Sequence, residues 1–472
     1  MQVPFQVTTQ LTLLPRSPIE EPSVTNAIGE IPLAYRNFEQ PSLSRRSLFR
    51  GSAYAMAGAT LASLPFGRQL LAHNVEENWP NVTAMAQKYI DAKKVANMYL
   101  TFGWNQEDHA HHVGGGTLAL TSDVEVDENS LYRIYSMTKP VTGMAAMILI
   151  DEGKLGLDQP IHEILPAYKD MMVQVEYDGA ITEDNLRPAK NHITVRHLLT
   201  HTAGIGYGIV QKGPITDAYN EAGLIAGQIS RFPIPGIFQG APVDSLEAFA
   251  DGLAKMPLVL EPGKKFSYSM SLDLLGRVIE VAAGQPFDAF LKERIFDPCG
   301  MTSTYFQVPE ADKARLTDNY GLVEGNPFPI DPGVNSIYLD KPPFPTGGAG
   351  LVSSPKDYDR FLRMLLGYGK LGEKRVMSDA AVRKGVSDLF PEGVDLAGTW
   401  MEGQGHGAGG RSVNGTFGWG GAAGTLSAVD YKLGLRACLF TQYMPADALP
   451  VRDEYMAAIE ADLGAMRAKM AA

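Results

Sequence analysis

A serine and a lysine stand three residues apart where strand-like sequence gives way to helix-like sequence. Ser136 and Lys139 form this S-x-x-K pair; Pro140 follows it, and the apolar segment 144–150 leads to Gly153. Proline in the first turn and glycine after the last are typical of a helix. Residues i and i+3 of a helix share a face, so the Lys139 amine can reach the Ser136 hydroxyl. A hydroxyl with a neighbouring amine predicts acyl transfer through a serine ester.

The backbone at this helix start can stabilise the negative charge that acyl transfer creates. The first N–H groups of a helix have no partner within it, and the helix dipole favours negative charge there. The Ser136 N–H is one of these groups and can donate to the oxyanion of a tetrahedral intermediate. S-x-x-K alone is a common spacing, and a capping serine beside a solvated lysine is the ordinary alternative. The interpretation therefore depends on segments further along the chain.

Two later segments complete a recognisable order of parts. Tyr268 lies just before the helical segment 272–280, and the glycine-rich segment 417–425 precedes the strand-like segment 426–429. A serine–lysine pair, then a tyrosine at the head of a helix, then a glycine-rich strand is the order found in penicillin-recognising serine hydrolases.

From about residue 85 to about residue 464 the chain resembles the β-lactamase-related serine hydrolase family, which includes class C β-lactamases and family VIII carboxylesterases. Residues 133–140, 193–204 and 347–355 also resemble recurrent segments of the family. The resemblance implies an α/β fold of the β-lactamase/transpeptidase type. In such a fold an antiparallel sheet is flanked by helices, with a mostly helical region inserted at about 155–341.

The pattern of apolar residues agrees with a sheet built from both ends of the chain. Glycines 114–116 and the polar stretch 123–129 are expected to separate the early strands. The predicted strands are 95–102, 117–121, 131–135, 417–419, 425–429 and 433–442, and the predicted terminal helices are 81–92 and 453–469.

The resemblance implies a role for each motif residue. Ser136 is the nucleophile, and Lys139 and Tyr268 accept its proton and pass one to the leaving group. Burial would favour the neutral amine that Lys139 needs for this task. The N–H groups of Ser136 and Ala422 form the oxyanion hole. Tyr207 resembles a cleft-lining tyrosine of the esterases, and packing is its alternative role.

Two positions depart from the family pattern. Met270 stands where many relatives have asparagine and cannot make the hydrogen bonds of that side chain. Trp419 stands where β-lactamases and penicillin-binding proteins usually have a lysine that attracts the substrate carboxylate. Gly420 and Gly421 still permit close approach of the backbone to a substrate. The site therefore suits neutral esters or amides, unless Arg411 supplies the missing charge.

Several histidines suggest other chemistry. Residues 108–112 have the composition of metal ligands, and His197 and His201 have an i, i+4 spacing that zinc enzymes use. No glutamate stands beside His197, and no distant carboxylate motif matches residues 108–112, so a solvated loop and structural hydrogen bonds are the preferred interpretations. His406 would suit a serine–histidine–aspartate triad, but the chain contains no G-x-S-x-G elbow. We expect no metal and no other cofactor.

Composition limits the possible partners. The 472 residues are 45% hydrophobic and 20% charged, with a net charge of −12, which disfavours nucleic acid and anionic membranes as partners. The expected partner is a small ester or amide substrate; no stable membrane span is expected, and the oligomeric state stays open. Cys299 and Cys438 are expected to be buried core residues.

The first residues resemble an export signal. Arg45 and Arg46 directly precede the small and apolar segment 53–66, which is too short to span a bilayer and suits the core of a twin-arginine signal. Cleavage near residues 71–72 would place the protein in the periplasm or outside the cell; an unused signal would leave it in the cytoplasm. The predicted parts are an unstructured leader at 1–43, a signal segment at 44–72 and a catalytic domain at 73–472.

These features predict a carboxylesterase that works through an acyl-enzyme. Amide or peptide cleavage is the second interpretation, including cleavage of linear unusual peptides as in cyanotoxin breakdown. Acyl transfer to an alcohol and weak β-lactamase activity are further alternatives. A non-enzymatic penicillin-binding-like sensor is the least favoured, because Ser136, Lys139 and Tyr268 are all present.

Overall fold

The computed structural model describes residues 78–232 and 240–471. The predicted leader and signal segment, residues 1–43 and 44–72, lie outside the described residues. The strands are β1 Asn97–Trp104, β2 His111–Gly116, β3 Tyr132–Arg133, β4 Met172–Gln174, β5 Leu186–Pro188, β6 Asn319–Val323, β7 Asn326–Asp331, β8 Val352–Ser353, β9 Lys370–Leu371, β10 Lys374–Arg375, β11 Gly405–His406, β12 Arg411–Val413, β13 Thr416–Gly420, β14 Leu426–Asp430, β15 Leu435–Phe440 and β16 Tyr443–Met444.

Helices lie before, between and after these strands along the described chain. They are α1 Pro80–Asp91, α2 Thr138–Asp151, α3 Val195–Leu199, α4 Pro214–Glu221, α5 Leu246–Leu253, α6 Ser271–Ala283, α7 Phe287–Leu291, α8 Asp297–Cys299, α9 Pro355–Leu366, α10 Asp379–Val386 and α11 Val451–Ala471. Within the described ranges, none of them is both long and apolar enough to cross a membrane.

The central sheet combines strands from both ends of the described chain, as predicted. Its order is β11-β12-β13-β14-β15-β1-β2, and every neighbouring pair is antiparallel. β1 is therefore an inner strand that lies beside β15. This arrangement confirms an α/β fold with an antiparallel sheet.

Both faces of the sheet are covered, as the burial of β1 shows. All eight of its residues are buried. Met98, Leu100 and Phe102 share a core with α1 and α11, whereas Tyr99 belongs to the larger core on the other face, because successive side chains of a strand point to opposite sides. The Asp462 carboxylate of α11 accepts hydrogen bonds from the Asn81 and Val82 N–H groups at the start of α1, where the helix dipole favours a negative charge.

The first glycine-rich segment differs from the prediction. Residues 111–116 form the edge strand β2, which pairs with β1, so glycines 114–116 do not separate strands and residues 111 and 112 are not part of a loop. A Cβ added at Gly114 would lie 2.1 Å from the Met98 carbonyl oxygen, so glycine allows this close pairing. The predicted strand at 117–121 is wrong, since Thr117 makes only an isolated bridge to Glu125.

The inserted region contains strands as well as helices. Short helices α3 to α8 lie within it, and so do the antiparallel pairs β4–β5 and β6–β7. The C-terminal strand β16 joins β6 in parallel and extends that pair to three strands. Buried thiols at Cys299 and Cys438 confirm the core positions predicted for both cysteines.

Candidate active site

Ser136 occupies a tight turn between strand β3 and helix α2. It lies in a 3₁₀ turn, Tyr135–Met137, directly before Thr138. Tyr135 has φ +40°, a left-handed conformation that costs a non-glycine residue roughly 1–2 kcal/mol. Such backbone strain is frequent at functional sites. Ser136 is partly exposed although its sequence neighbours are buried, so a substrate can reach its hydroxyl.

Helix α2 places the lysine inside the protein. The twelve residues from Thr138 to Leu149 are buried, which is typical of a central helix that is covered on all sides. Lys139 is completely buried, as the sequence interpretation required. Gly153 has φ +69° just after the helix, in agreement with the predicted helix end.

The three residues predicted to be catalytic meet at one atom. Lys139 Nζ donates to Ser136 Oγ at 3.1 Å, and the Tyr268 hydroxyl donates to the same oxygen at 2.8 Å. Lys139 Nζ also lies 4.7 Å from the centre of the Tyr268 ring. A nucleophile that contacts two proton-handling groups is the geometry that acyl transfer needs.

A glycine and a buried aspartate lie behind Lys139. Lys139 Nζ donates to the Gly348 carbonyl at 2.7 Å, and the Gly348 N–H donates to Asp273 Oδ1 at 2.8 Å. Burial raises the pKa of Asp273 to about 6, although the nearby Lys139 charge lowers it. Asp273 was not recognised from the sequence, because a single aspartate on a helix is an ordinary solvated residue.

The end of β13 approaches the turn that carries Ser136. A Cβ added at Gly421 would lie 2.4 Å from the Ile134 carbonyl oxygen, so glycine is needed for this approach. Ala422 follows and packs against the buried cluster that contains Tyr135. The Ala422 N–H has no hydrogen-bond partner among the described residues, which leaves it free to donate to an oxyanion. Gly420 is partly exposed at the end of the strand.

Aromatic side chains form one side of the site. Trp419 stacks on Tyr268 with ring centres 5.9 Å apart, and Trp400 lies 5.3 Å from Trp419. Phe266 lies 5.2 Å from Trp400. We call Phe266, Tyr268, Trp400 and Trp419 the aromatic wall. Trp400 and Phe266 were missed in the sequence because neither belongs to a motif, and Trp400 lies in the loop before β11.

The histidines near the site are buried and serve its structure. Burial holds the pKa of His201 well below its usual value and lowers that of His406 to about 4. His201 Nδ1 accepts the Ser269 N–H at 3.2 Å, next to Tyr268. His406 Nδ1 pairs with the Gly407 carbonyl at 2.8 Å, so His406 does not form a triad with Ser136.

His197 has the structural role expected of it. Its Nδ1 accepts the Thr194 N–H at 3.2 Å, while the Thr194 hydroxyl accepts the His197 N–H at 3.3 Å. This reciprocal pair caps helix α3. Among the described residues, no cluster of histidine, cysteine, aspartate and glutamate could hold a metal ion.

Tyr207 and Arg411 occupy different positions relative to the site. Tyr207 is buried with its ring centre 5.7 Å from that of Tyr268, and burial raises its pKa well above the usual value. Arg411 is exposed on β12, opposite Gly418. It lies one strand away from Trp419 and contacts Gln404 at 3.4 Å.

Met270 and Arg452 also lie close to the motif residues. Met270 is buried, and its N–H donates to the Gly206 carbonyl at 3.3 Å, so its role here is to pack the start of α6. Arg452, at the start of α11, donates to the Gly421 carbonyl at 3.0 Å. It is therefore a cation in direct contact with the glycine pair, and no motif in the sequence indicated it.

The chain matches a known protein family and several proteins of known sequence. Residues 82–461 match the Beta-lactamase family. The chain is 32% identical to protein Rv1367c of Mycobacterium tuberculosis over 73% of this chain and 86% of that protein. It is 29% identical to esterase EstB of Burkholderia gladioli over 66% of this chain and 78% of that protein.

The fold has counterparts among solved structures. EstCE1, described as a hydrolase with promiscuous acyltransferase activity, superimposes with a TM-score of 0.65. The match covers 82% of this chain and 99% of that protein at 23% identity. At this level of identity the similarity shows a shared fold.

Proposed function

Because the chain belongs to the β-lactamase family of serine hydrolases, we propose that it cleaves carboxylic esters through an acyl-enzyme on Ser136. The observation that carries this proposal is the position of Ser136 Oγ between Lys139 Nζ at 3.1 Å and the Tyr268 hydroxyl at 2.8 Å. Esterase EstB, 29% identical over 66% of the chain, supports an ester as the substrate.

The geometry supports the following sequence of steps. Ser136 Oγ attacks the ester carbonyl and gives its proton to Lys139, while the Ser136 and Ala422 N–H groups hold the oxyanion. Tyr268 passes a proton to the alcohol as the ester C–O bond breaks, and Lys139 returns the proton that it took from Ser136 to Tyr268. Water then attacks the acyl-enzyme, and the same groups return Ser136 to its starting state as the acid leaves.

The aromatic wall favours neutral substrates over carboxylates. Trp419 lies where family members that bind β-lactams usually present a lysine, and it is an apolar surface against Tyr268. A charge-assisted hydrogen bond to a carboxylate contributes about 1.5–3 kcal/mol, and Trp419 cannot provide it. We therefore expect neutral short-chain esters to be hydrolysed far better than nitrocefin or D-Ala-D-Ala peptides.

A charge change at Trp419 tests this preference. We expect Trp419→Lys to lower kcat/KM for nitrophenyl esters about tenfold or more and to lower it less for carboxylate substrates, because a cation replaces an apolar contact. Trp419→Phe is the matched control, since it shortens the ring system without adding charge. Measured kcat/KM values for both substrate classes decide the question. A wild type that prefers the carboxylate substrate would contradict the proposal and indicate that Arg411 or Arg452 supplies the charge.

Acyl transfer to an alcohol is a second candidate activity. The description of EstCE1 as a hydrolase with promiscuous acyltransferase activity favours it, and an acyl-enzyme can react with any nucleophile that enters the cleft. Adding methanol or a longer alcohol to the ester assay distinguishes the two, because transfer yields a new ester in place of the acid. Amide and peptide cleavage is measured in the same way with amino acid amides.

We also propose that the protein is exported. The support is the order of Arg45, Arg46 and the apolar segment 53–66. We expect the mature protein to begin near residue 73 and to be recovered outside the cytoplasm. Replacing both arginines with lysine should leave an uncleaved protein in the cytoplasm, as cell fractionation and N-terminal mass analysis would show. An unchanged location and N-terminus in this variant would contradict the proposal.

A further inference from the structure

The carboxyl group of Asp273 is buried beside the catalytic residues without contacting Ser136. Asp273 lies in the first turn of α6 and has no exposed surface. Its Oδ1 accepts the Gly348 N–H at 2.8 Å, whereas Oδ2 has no hydrogen-bond partner among the described residues. Burying an unpartnered carboxylate oxygen is unfavourable. A residue that destabilises the fold in this way needs another reason to be there.

Gly348 connects this carboxyl group to the lysine. It donates its N–H to Asp273 and accepts the Lys139 amine at 2.7 Å through its carbonyl. A Cβ at Gly348 would lie 2.5 Å from Asp273 Oδ2, so only glycine fits between the two groups. The direction of the Gly348 carbonyl, and with it the position of Lys139 Nζ, depends on Asp273.

We propose that Asp273 is a positioning residue that completes a series of nucleophile, base and carboxylate. It holds Gly348 so that the Gly348 carbonyl orients Lys139, and its negative charge stabilises the ammonium that Lys139 becomes during acylation. In that step the Ser136 O–H bond breaks, the bond from Oγ to the substrate carbonyl carbon forms, and the proton moves to Lys139 Nζ. A base that is oriented by a third group is the arrangement that activates a weak nucleophile.

This inference rests on the proposed function but can be tested without the natural substrate. A fluorophosphonate probe labels an activated serine, so the labelling rate of Ser136 between pH 5 and pH 10 reports its activation directly. Asp273→Asn keeps an acceptor for the Gly348 N–H and nearly the same shape, and it removes the charge. We expect it to label about 10- to 100-fold more slowly than the wild type.

The pH profile separates a charge effect from a loss of folded protein. The titratable groups that interact electrostatically with Asp273 are Lys139 from α2 and Tyr207 from the loop before α4. The wild type should label more slowly as the pH falls through about 6, where Asp273 takes up a proton. Asp273→Asn has no carboxylate to protonate, so this acid limb should be absent from its profile.

A second buried carboxylate provides the control. Asp357 lies outside the site and is also buried, which raises its pKa. Its carboxylate accepts a hydrogen bond from the Ser303 N–H at 2.5 Å. Asp357→Asn should lower the melting temperature and leave both the labelling rate of the folded enzyme and its acid limb unchanged. Asp273→Ser, also uncharged, is the second test variant.

Each outcome of this experiment has one meaning. Wild-type labelling and a retained acid limb in Asp273→Asn would overturn the inference about Asp273. If neither Asp273 variant folds, the residue is structural and the inference is wrong. A wild type whose Ser136 is not labelled at any pH would instead contradict the proposed function.

Discussion

Ser136→Ala is expected to abolish turnover while the protein stays folded. The substitution removes one oxygen that, among the described residues, bonds only to Lys139 and Tyr268, and Lys139 keeps its hydrogen bond to the Gly348 carbonyl. We expect kcat on nitrophenyl esters to fall by at least about 10⁴-fold, because an acyl-enzyme can no longer form. The free energy of unfolding should change by about 1 kcal/mol or less.

Intact-mass analysis with an acylating probe provides the complementary measurement. The wild type should gain the mass of one probe, peptide mapping should place it on Ser136, and Ser136→Ala should gain none. Another serine beside Tyr268, Ser269, is buried and hydrogen-bonded to His201, so Ser269→Ala should still be labelled. An adduct on any residue other than Ser136 would exclude the proposed nucleophile.

Tyr268→Phe should lower kcat by about 10²–10⁴-fold, the range that general acid–base catalysis contributes. The change removes the hydroxyl that donates to Ser136 Oγ at 2.8 Å. It keeps the ring that stacks on Trp419 and faces Lys139, so the aromatic wall and the KM should change little. Stopped-flow assays with a nitrophenyl ester measure kcat and KM separately.

Tyr207→Phe is the matched control for this prediction. Tyr207 is buried, and its ring contacts that of Tyr268 at 5.7 Å, but its hydroxyl does not bond to Ser136. Its loss should therefore reduce kcat by less than about tenfold. Equal effects of the two substitutions would mean that the Tyr268 hydroxyl acts through packing, and the proton transfer assigned to it would be wrong.

The proposed nucleophile and base were accessible from the sequence because their arrangement is local. Ser136 and Lys139 lie one helical turn apart, and the helix itself fixes their proximity. Tyr268 was found through the order of motifs. In contrast, Asp273 and Gly348 meet across 75 positions, and neither residue type is unusual where it stands. Contacts of this kind depend on packing between distant segments, which periodicity does not encode.

Errors in the fold prediction have a similar physical origin. Glycine usually separates strands, yet residues 114–116 lie within one, because the close pairing with β1 leaves no room for a side chain at Gly114 or Gly116. The strand prediction for residues 117–121 followed local composition, but in the part of the chain that the structure describes this segment has no neighbouring strand to pair with along its length. Strand formation depends on the partner strand more than on intrinsic preference.

The pairing of β1 with β15 imposes an order on folding. The Thr441 hydroxyl bonds to the Asn97 carbonyl across 344 positions, so an inner strand of the sheet is synthesised long before its neighbour. Contacts so distant in sequence form slowly. Until β15 leaves the ribosome, β1 can pair only with β2, and one edge of a mostly apolar strand stays open to other nascent chains. A chain shortened before residue 435 should therefore aggregate during synthesis.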